Sequence, residues 1–332
     1  MVPPCSNDSL YSDYYYDSLS PDDFEENPNQ TNKPERKKTM PIPTPKMPTR
    51  TSAPVATKPA PAKAKITFGG IGTLKRGQLV ILAGKGGTGK TTAAAMKPGD
   101  TAFIDLENSL PILQKKLETI APERLKYIHT VPFEFTDDAA KDYETLCALV
   151  EADGYDGMDT IVLDSWSVTQ KLLKAYTFAH DQYKGKVCNS TEDYGYSTFP
   201  IYAYKNYTRL ANALLAHVRA GRDVVIVAHA VDDTVPDANL NDMKQWQFDA
   251  FMMKSGKESI RHDLFNSADQ VWFMTDGVMG NDKKKASGGC RLVYLQCTPE
   301  FWAKSRTHSG ESCIAVRDGE TLPWEEILGR AE

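Results

Sequence analysis

From about residue 66 onward the chain alternates short apolar runs with longer amphipathic stretches. The runs are GQLVILAG (77–84), TAFIDLE (101–107), DTIVLDS (159–165), DVVIVAHA (223–230), DQVWFM (269–274) and RLVYLQC (291–297). Their length and β-branched content predict strands buried on both faces. Helical spacing appears in TTAAAM, which KPGD stops, in DDAAKDYETLCALVEADG (137–154) and in NYTRLANALLAHVRAG (206–221), with Gly221 placed to cap the last. Strands alternating with helices predict an α/β domain over 66–332, a mostly parallel sheet with helices on both faces. Its ligand site belongs at the carboxyl ends of the strands.

Residues 1–65 follow neither period. Residues 1–30 carry seven acids, Tyr11, Tyr14, Tyr15, Tyr16 and Phe24 but no Lys or Arg, while 31–65 are rich in proline and lysine. Repeated proline fixes φ and removes donors, so a disordered tail is expected. It reads either as a solvated linker or as an acidic, aromatic segment that contacts a protein partner or folds back on a DNA groove.

The 332 residues are 41% hydrophobic and 25% charged, a soluble globular composition. No apolar run is long enough to span a bilayer, and a signal-peptide layout is missing, so a cytoplasmic protein without membrane contact is expected. The six cysteines have no zinc-like spacing and read as reduced thiols. A net charge of -5 gives no global case for nucleic acid.

Chemistry concentrates in AGKGGTGKTT (83–92), which fits the phosphate-loop pattern G-x-x-x-x-G-K-[ST] between a strand and a helix. Gly84, Lys85, Gly86, Gly87, Thr88, Gly89, Lys90, Thr91 and Thr92 are the expected nucleotide contacts. Backbone N–H groups and the helix start would face the phosphates. Lys90 would reach the β- and γ-phosphates, and Thr91 would ligate Mg²⁺, so ATP and Mg²⁺ are the expected ligands. Such a loop needs one carboxylate to hold the hydrated magnesium and another to polarise water. Asp164, ending TIVLD, suits the first role and Glu107 the second. Asp105 reads as a helix cap or turn former. His229, at another strand's carboxyl edge, could sense the γ-phosphate.

Together these segments resemble the RecA-like ATPases, which include RecA, RadA, DnaB-type helicases and KaiC. LKRGQLVILAGKGGTGKTT is similar to the entry of that core, and AFIDLENSL to the segment carrying the catalytic glutamate, here Glu107. TIVLDS matches the magnesium-binding Asp-Ser pair, and VVIVAHA occupies the sensor strand. FWAKSRTHSG resembles the K-x-R segment that reaches a neighbouring subunit's ATP site, which implies that Lys304 and Arg306 act in trans in a homo-oligomeric ring or filament. Within the superfamily, the layout is most similar to phage-encoded proteins that bind and anneal single-stranded DNA, which would place it in the host cytoplasm. RecA's N-terminal oligomerisation helix is not apparent.

The resemblance also implies two DNA loops. The first, 176–207, holds Tyr183, Tyr194, Tyr196, Phe199, Tyr202, Tyr204 and Tyr207 with Lys184, Lys186 and Lys205; the second, 232–262, holds Trp246, Phe248 and Phe251 with Lys244, Lys254, Lys257 and Arg261. Rings and cations together suit sequence-tolerant binding of single strands. The alternative is that the rings pack a core or interface, and Asp232, Asp233, Asp237 and Asp242 weigh against DNA in the second loop. Two other functions fit the loop. Lys85 with Gly86 and Gly87 also matches the ParA/MinD-like positioning ATPases, although IDLENS and LDSWS depart from that family's pattern. A nucleotide-gated assembly or regulatory ring without DNA activity is the other.

Overall fold

The computed structural model describes residues 76–195, 198–235, 242–252, 259–278, 287–317 and 319–330. The expected tail, Tyr196, Asp237, Lys254 and Lys257 lie outside them.

Strands β1 (Leu79–Gly84), β2 (Thr101–Asp105), β3 (Ile128–Thr130), β4 (Thr160–Asp164), β7 (Asp223–Val235) and β9 (Gln270–Val278) form the parallel part of the main sheet. Strands β10 (Ser287–Tyr294) and β12 (Cys313–Arg317) continue it antiparallel, giving the order β12-β10-β9-β1-β7-β4-β2-β3. Two short additions lie off this path: β8 (Met243–Phe248) pairs with the far end of β7, and β11 (Lys304–Ser305) with the start of β9. A separate hairpin is made by β5 (Gln182–Tyr183) and β6 (Lys186–Val187).

Helices α3 (Ala139–Glu151), α4 (Trp166–His180), α5 (Phe199–Arg219) and α6 (Ile260–Ser267) bury one face of the sheet. Helices α1 (Lys90–Ala95), α2 (Leu110–Ile120) and α7 (Trp324–Ile327) bury the other. The period of two sorts the side chains: Leu79, Ile81 and Ala83 of β1 join the first layer, Val80 and Leu82 the second. This is the expected mostly parallel sheet with both faces covered. Gly221 closes α5, with φ 96° and its N–H on the carbonyl of Val218.

Several boundaries depart from expectation. Strand β7 runs five residues past Ala230 because β8 folds back on it, and α5 begins seven residues before Asn206 because Phe199, Ala203 and Tyr207 extend its buried stripe. Among the described residues no helix is long and apolar enough to cross a membrane. Cys147, Cys188, Cys290, Cys297 and Cys313 form no disulfide.

Candidate nucleotide site

Register places the candidate residues at one edge of the sheet. Gly84 pairs with His229, and Asp105 with Asp164. Where β1 ends, the backbone passes so close to β9 that a Cβ on Gly84 would lie 2.4 Å from the carbonyl oxygen of Met274. Gly87 and Gly89 hold φ of 81° and 84°, a conformation natural to glycine, and so turn the loop back on itself. Thr88 donates its hydroxyl to the Lys85 carbonyl at 2.9 Å. Lys90 is buried and donates to the carbonyls of Gly84 (2.9 Å) and Lys85 (2.7 Å). Burial lowers its pKa, against the opposing pull of Asp164 and Glu107. Helix α1 has only six residues, so the cradle rests on the loop's own N–H groups and Lys90.

Lys85 turns away from the loop interior. The residue is exposed, and its Nζ stands over the Trp246 ring of β8, 3.9 Å from the centroid.

The turn after β2 sets Glu107. Asn108 takes φ 53°, which its short polar side chain tolerates, and Asp105 accepts from the N–H groups of Ser109 (3.0 Å) and Leu110 (2.8 Å), capping α2 as expected. Glu107 is thereby brought beside two groups of other strands. Ser165 donates its hydroxyl to Glu107 Oε1, and His229 Nε2 lies 3.4 Å from the same oxygen. Asp164 is fully buried. Burial pushes its pKa up to about 6, Glu107 and Asp105 add to that push, and hydrogen bonds from Thr91 and Ser109 oppose it. The Asp164–Ser165 peptide is cis.

Lys90, Thr91, Thr92, Glu107, Asp164 and His229 line one cavity of about 280 Å³. A second cavity of about 270 Å³ adjoins it over α1, walled by Ala93, Met96, Ile120, Val316 and Leu322. Gly89, Thr92, Lys116 and Arg291 border both. The polar cavity suits phosphates and the apolar one a nucleoside. Sequence reading missed Lys116 and Arg291. The signal for Lys116 was the amphipathic spacing of α2, whose Leu113 and Leu117 are buried below it.

Thr91 and Asp164 fit a magnesium ion. Oδ1 of Asp164 is buried with no hydrogen-bond partner, and the Thr91 hydroxyl bonds the same carboxylate. No group of three His, Cys, Asp or Glu side chains among the described residues could hold a metal. An ion here would take most of its ligands from phosphate and water, as Mg²⁺ does.

Lys304 and Arg306 stand elsewhere. Lys304 pairs in register with Val271, three residues below Met274 at the loop, about 10 Å toward the amino edge. Its Nζ donates to the carbonyl of Phe265 at the end of α6 (2.5 Å), and burial, with Arg306 beside it, pushes its pKa down to about 8. Arg306 donates to Asp269 (2.9 Å) and to the Asn266 carbonyl (2.7 Å). Both are held within the chain, away from its own phosphate loop.

The residues of the two expected DNA loops divide between the interior and the surface. Tyr194, Phe199, Tyr207 and Phe248 are buried in the core, packed in one cluster with Leu172, Leu173, Leu210, Leu214 and Leu264 of α4, α5 and α6. Arg261 is buried too, donating to Asp233 (2.7 Å), Gln247 and the Ala250 carbonyl, so it braces the β7–β8 hairpin and is not a phosphate contact. Lys205 pairs with Asp181 at 3.1 Å and Lys244 with Asp232 at 3.7 Å. Lys184 and Lys186 are exposed on the β5–β6 hairpin.

Among solved structures, the flagellar accessory protein FlaH from Methanocaldococcus jannaschii aligns over 74% of this chain and 86% of its own, at 13% identity and TM-score 0.37. A KaiC-like protein from Pyrococcus horikoshii OT3 aligns over 66% and 78%, at 15% and TM-score 0.34. No sequence match to a curated protein was found. Residues 76–307, a span that starts just before β1 and ends just after β11, match the AAA domain family, and the chain belongs to that family.

Proposed function

We propose that the protein is a RecA-like ATPase that hydrolyses ATP in an oligomer and acts on single-stranded DNA. The observation that carries the ATPase reading is that Glu107 and His229, with Ser165 bonded behind Glu107, meet at the cavity that Lys90 and Asp164 also line. Glu107 would orient and deprotonate the attacking water. Ser165 and His229 fix its carboxylate, and His229 stands where a γ-phosphate could displace it from Glu107. Lys90 would leave the two loop carbonyls for the phosphates, and Thr91 with Asp164 would hold Mg²⁺. The metal supplies charge neutralisation on the β- and γ-oxygens when bound.

The oligomeric part rests on Lys304 and Arg306, which lie outside their own site. In trans they would stabilise charge on the transferred phosphoryl group. The DNA part is supported by exposed Lys184 and Lys186, with Lys205 and Lys244 exposed but paired to carboxylates, and burial of Tyr194, Phe199, Tyr207 and Phe248 favours a second reading, a nucleotide-gated assembly without DNA activity. The position of Lys85 over Trp246 speaks against the ParA/MinD-like alternative, in which that lysine would serve hydrolysis.

ATPase rate against protein and single-strand concentration tests these parts. A rate per subunit that rises with both supports the full proposal. A rate that rises with protein only selects the assembly reading, and one that depends on neither ends both. Glu107→Gln should lower turnover by about 10²–10⁴-fold while ATP still binds; turnover near wild type would remove Glu107 from the chemistry.

A further inference from the structure

Arg291 belongs to no motif, yet the fold brings it to the phosphate loop. On β10, side chains alternate, so Arg291, Val293 and Leu295 share a face. Val293 and Leu295 are buried in the layer that also holds Ala93, Ala94 and Ala95 of α1. Two residues earlier along the strand, that layer gives way to the loop, and there Arg291 stands. A Cβ on Gly89 would lie 3.1 Å from Cζ and Nη1 of Arg291 and 3.2 Å from Nε. The guanidinium thus lies against the loop at a point where a side chain on residue 89 would press it back by a few tenths of an ångström. Gly89, with φ 84°, meets both that need and the turn's.

We propose that Arg291 is a nucleotide-binding residue that grips the α- and β-phosphates, the part common to ATP and ADP. It borders both the apolar cavity and the phosphate cavity, whereas Glu107, Asp164 and His229 line the phosphate cavity alone. Arg291 therefore stands at the junction of the two cavities, where the nucleoside end of the phosphates would lie. Its planar fork matches two phosphate oxygens at once, which an ammonium does not. Asp276 is its partner in register on β9, and five N–H donors let one guanidinium serve a carboxylate and a phosphate together. The grip rests on the reading of these cavities as a nucleoside triphosphate site.

The test is equilibrium binding of fluorescently labelled ATP and ADP, with Mg²⁺, to the full chain and its Arg291→Ala and Arg291→Lys forms, with thermal melts confirming that each is folded. Arg291→Ala should weaken both nucleotides by a similar factor, about 10–100-fold, the range for hydrogen bonds to charged groups. Arg291→Lys should recover part of this, since it restores charge without the fork, and KM for ATP should rise with the ADP Kd. Unchanged affinities in folded Arg291→Ala would overturn the assignment, as would weakening of ATP with ADP spared, or a loss confined to kcat. If the wild type binds neither nucleotide, the site reading itself fails. If it binds both and Arg291→Ala does too, only the role of Arg291 falls.

Discussion

Asp164 and Asp223 are buried carboxylates on neighbouring strands, at opposite ends of the single β4–β7 ladder in which Asp223 pairs with Thr160. Four residues, about 13 Å, separate their levels. At the amino edge, Asp223 receives both Arg330 Nη atoms (2.7 and 2.6 Å), Lys97 Nζ (2.8 Å) and the N–H of Gln78 (2.8 Å). Burial works against its charge, but Arg330 and Lys97 hold its pKa below the ordinary range. At the carboxyl edge, Asp164 keeps one oxygen without a partner and has its pKa pushed up to about 6. The same residue type is saturated at one end of the ladder and left wanting at the other. The saturated end secures the fold, and the unsaturated end is where a ligand is chemically useful.

The contrast makes opposite predictions for one substitution. Asp223→Asn should lower stability by about 3–5 kcal/mol, since it leaves the buried Lys97 ammonium without its counter-charge. The Asp223 pKa is depressed, so its stabilisation is present above pH 4 and fades as pH falls below it. Urea midpoints for the two proteins should therefore converge in acid; a gap under about 1 kcal/mol at pH 7 would break the comparison. Asp164→Asn should instead raise stability of the metal-free protein, by up to about 3 kcal/mol above pH 6, the equivalent of a rise from 3.8 to about 6. The raised pKa sets the sign: ionisation through pH 4–6 costs the wild type stability, so the gap should close as pH falls to 4. Melting curves across that range check it, and a destabilised Asp164→Asn would show that the orphaned oxygen is no liability. Smallest is Lys85→Ala, which should cost about 0.5–1 kcal/mol and alter the emission of Trp246 as its ring loses the cation. An unchanged spectrum would mean that the stack does not persist in solution.

What could be read from sequence follows from how local each signal is. The loop, Asp164 and His229 were legible because a short apolar run delivers its last residue to the sheet's carboxyl edge whatever its neighbours are. Glu107 was legible as the acid just past such a run. Arg291 opens an equally visible run, but a strand's face and direction are set by its partners, and β10 is antiparallel to β9. The tyrosines failed for another reason. A ring suits a stacked base and a helix interface equally, and only the packing of α4 against α5 decides that Tyr194 and Tyr207 are interior.

The bonds from Lys90 to the carbonyls of Gly84 and Lys85 bear on nucleotide exchange. They are internal ligands, so entry of a phosphate is a substitution at the ammonium rather than the filling of a void. When product leaves, the loop itself can supply the incoming group, and the lysine passes from one set of oxygens to another without standing desolvated and alone.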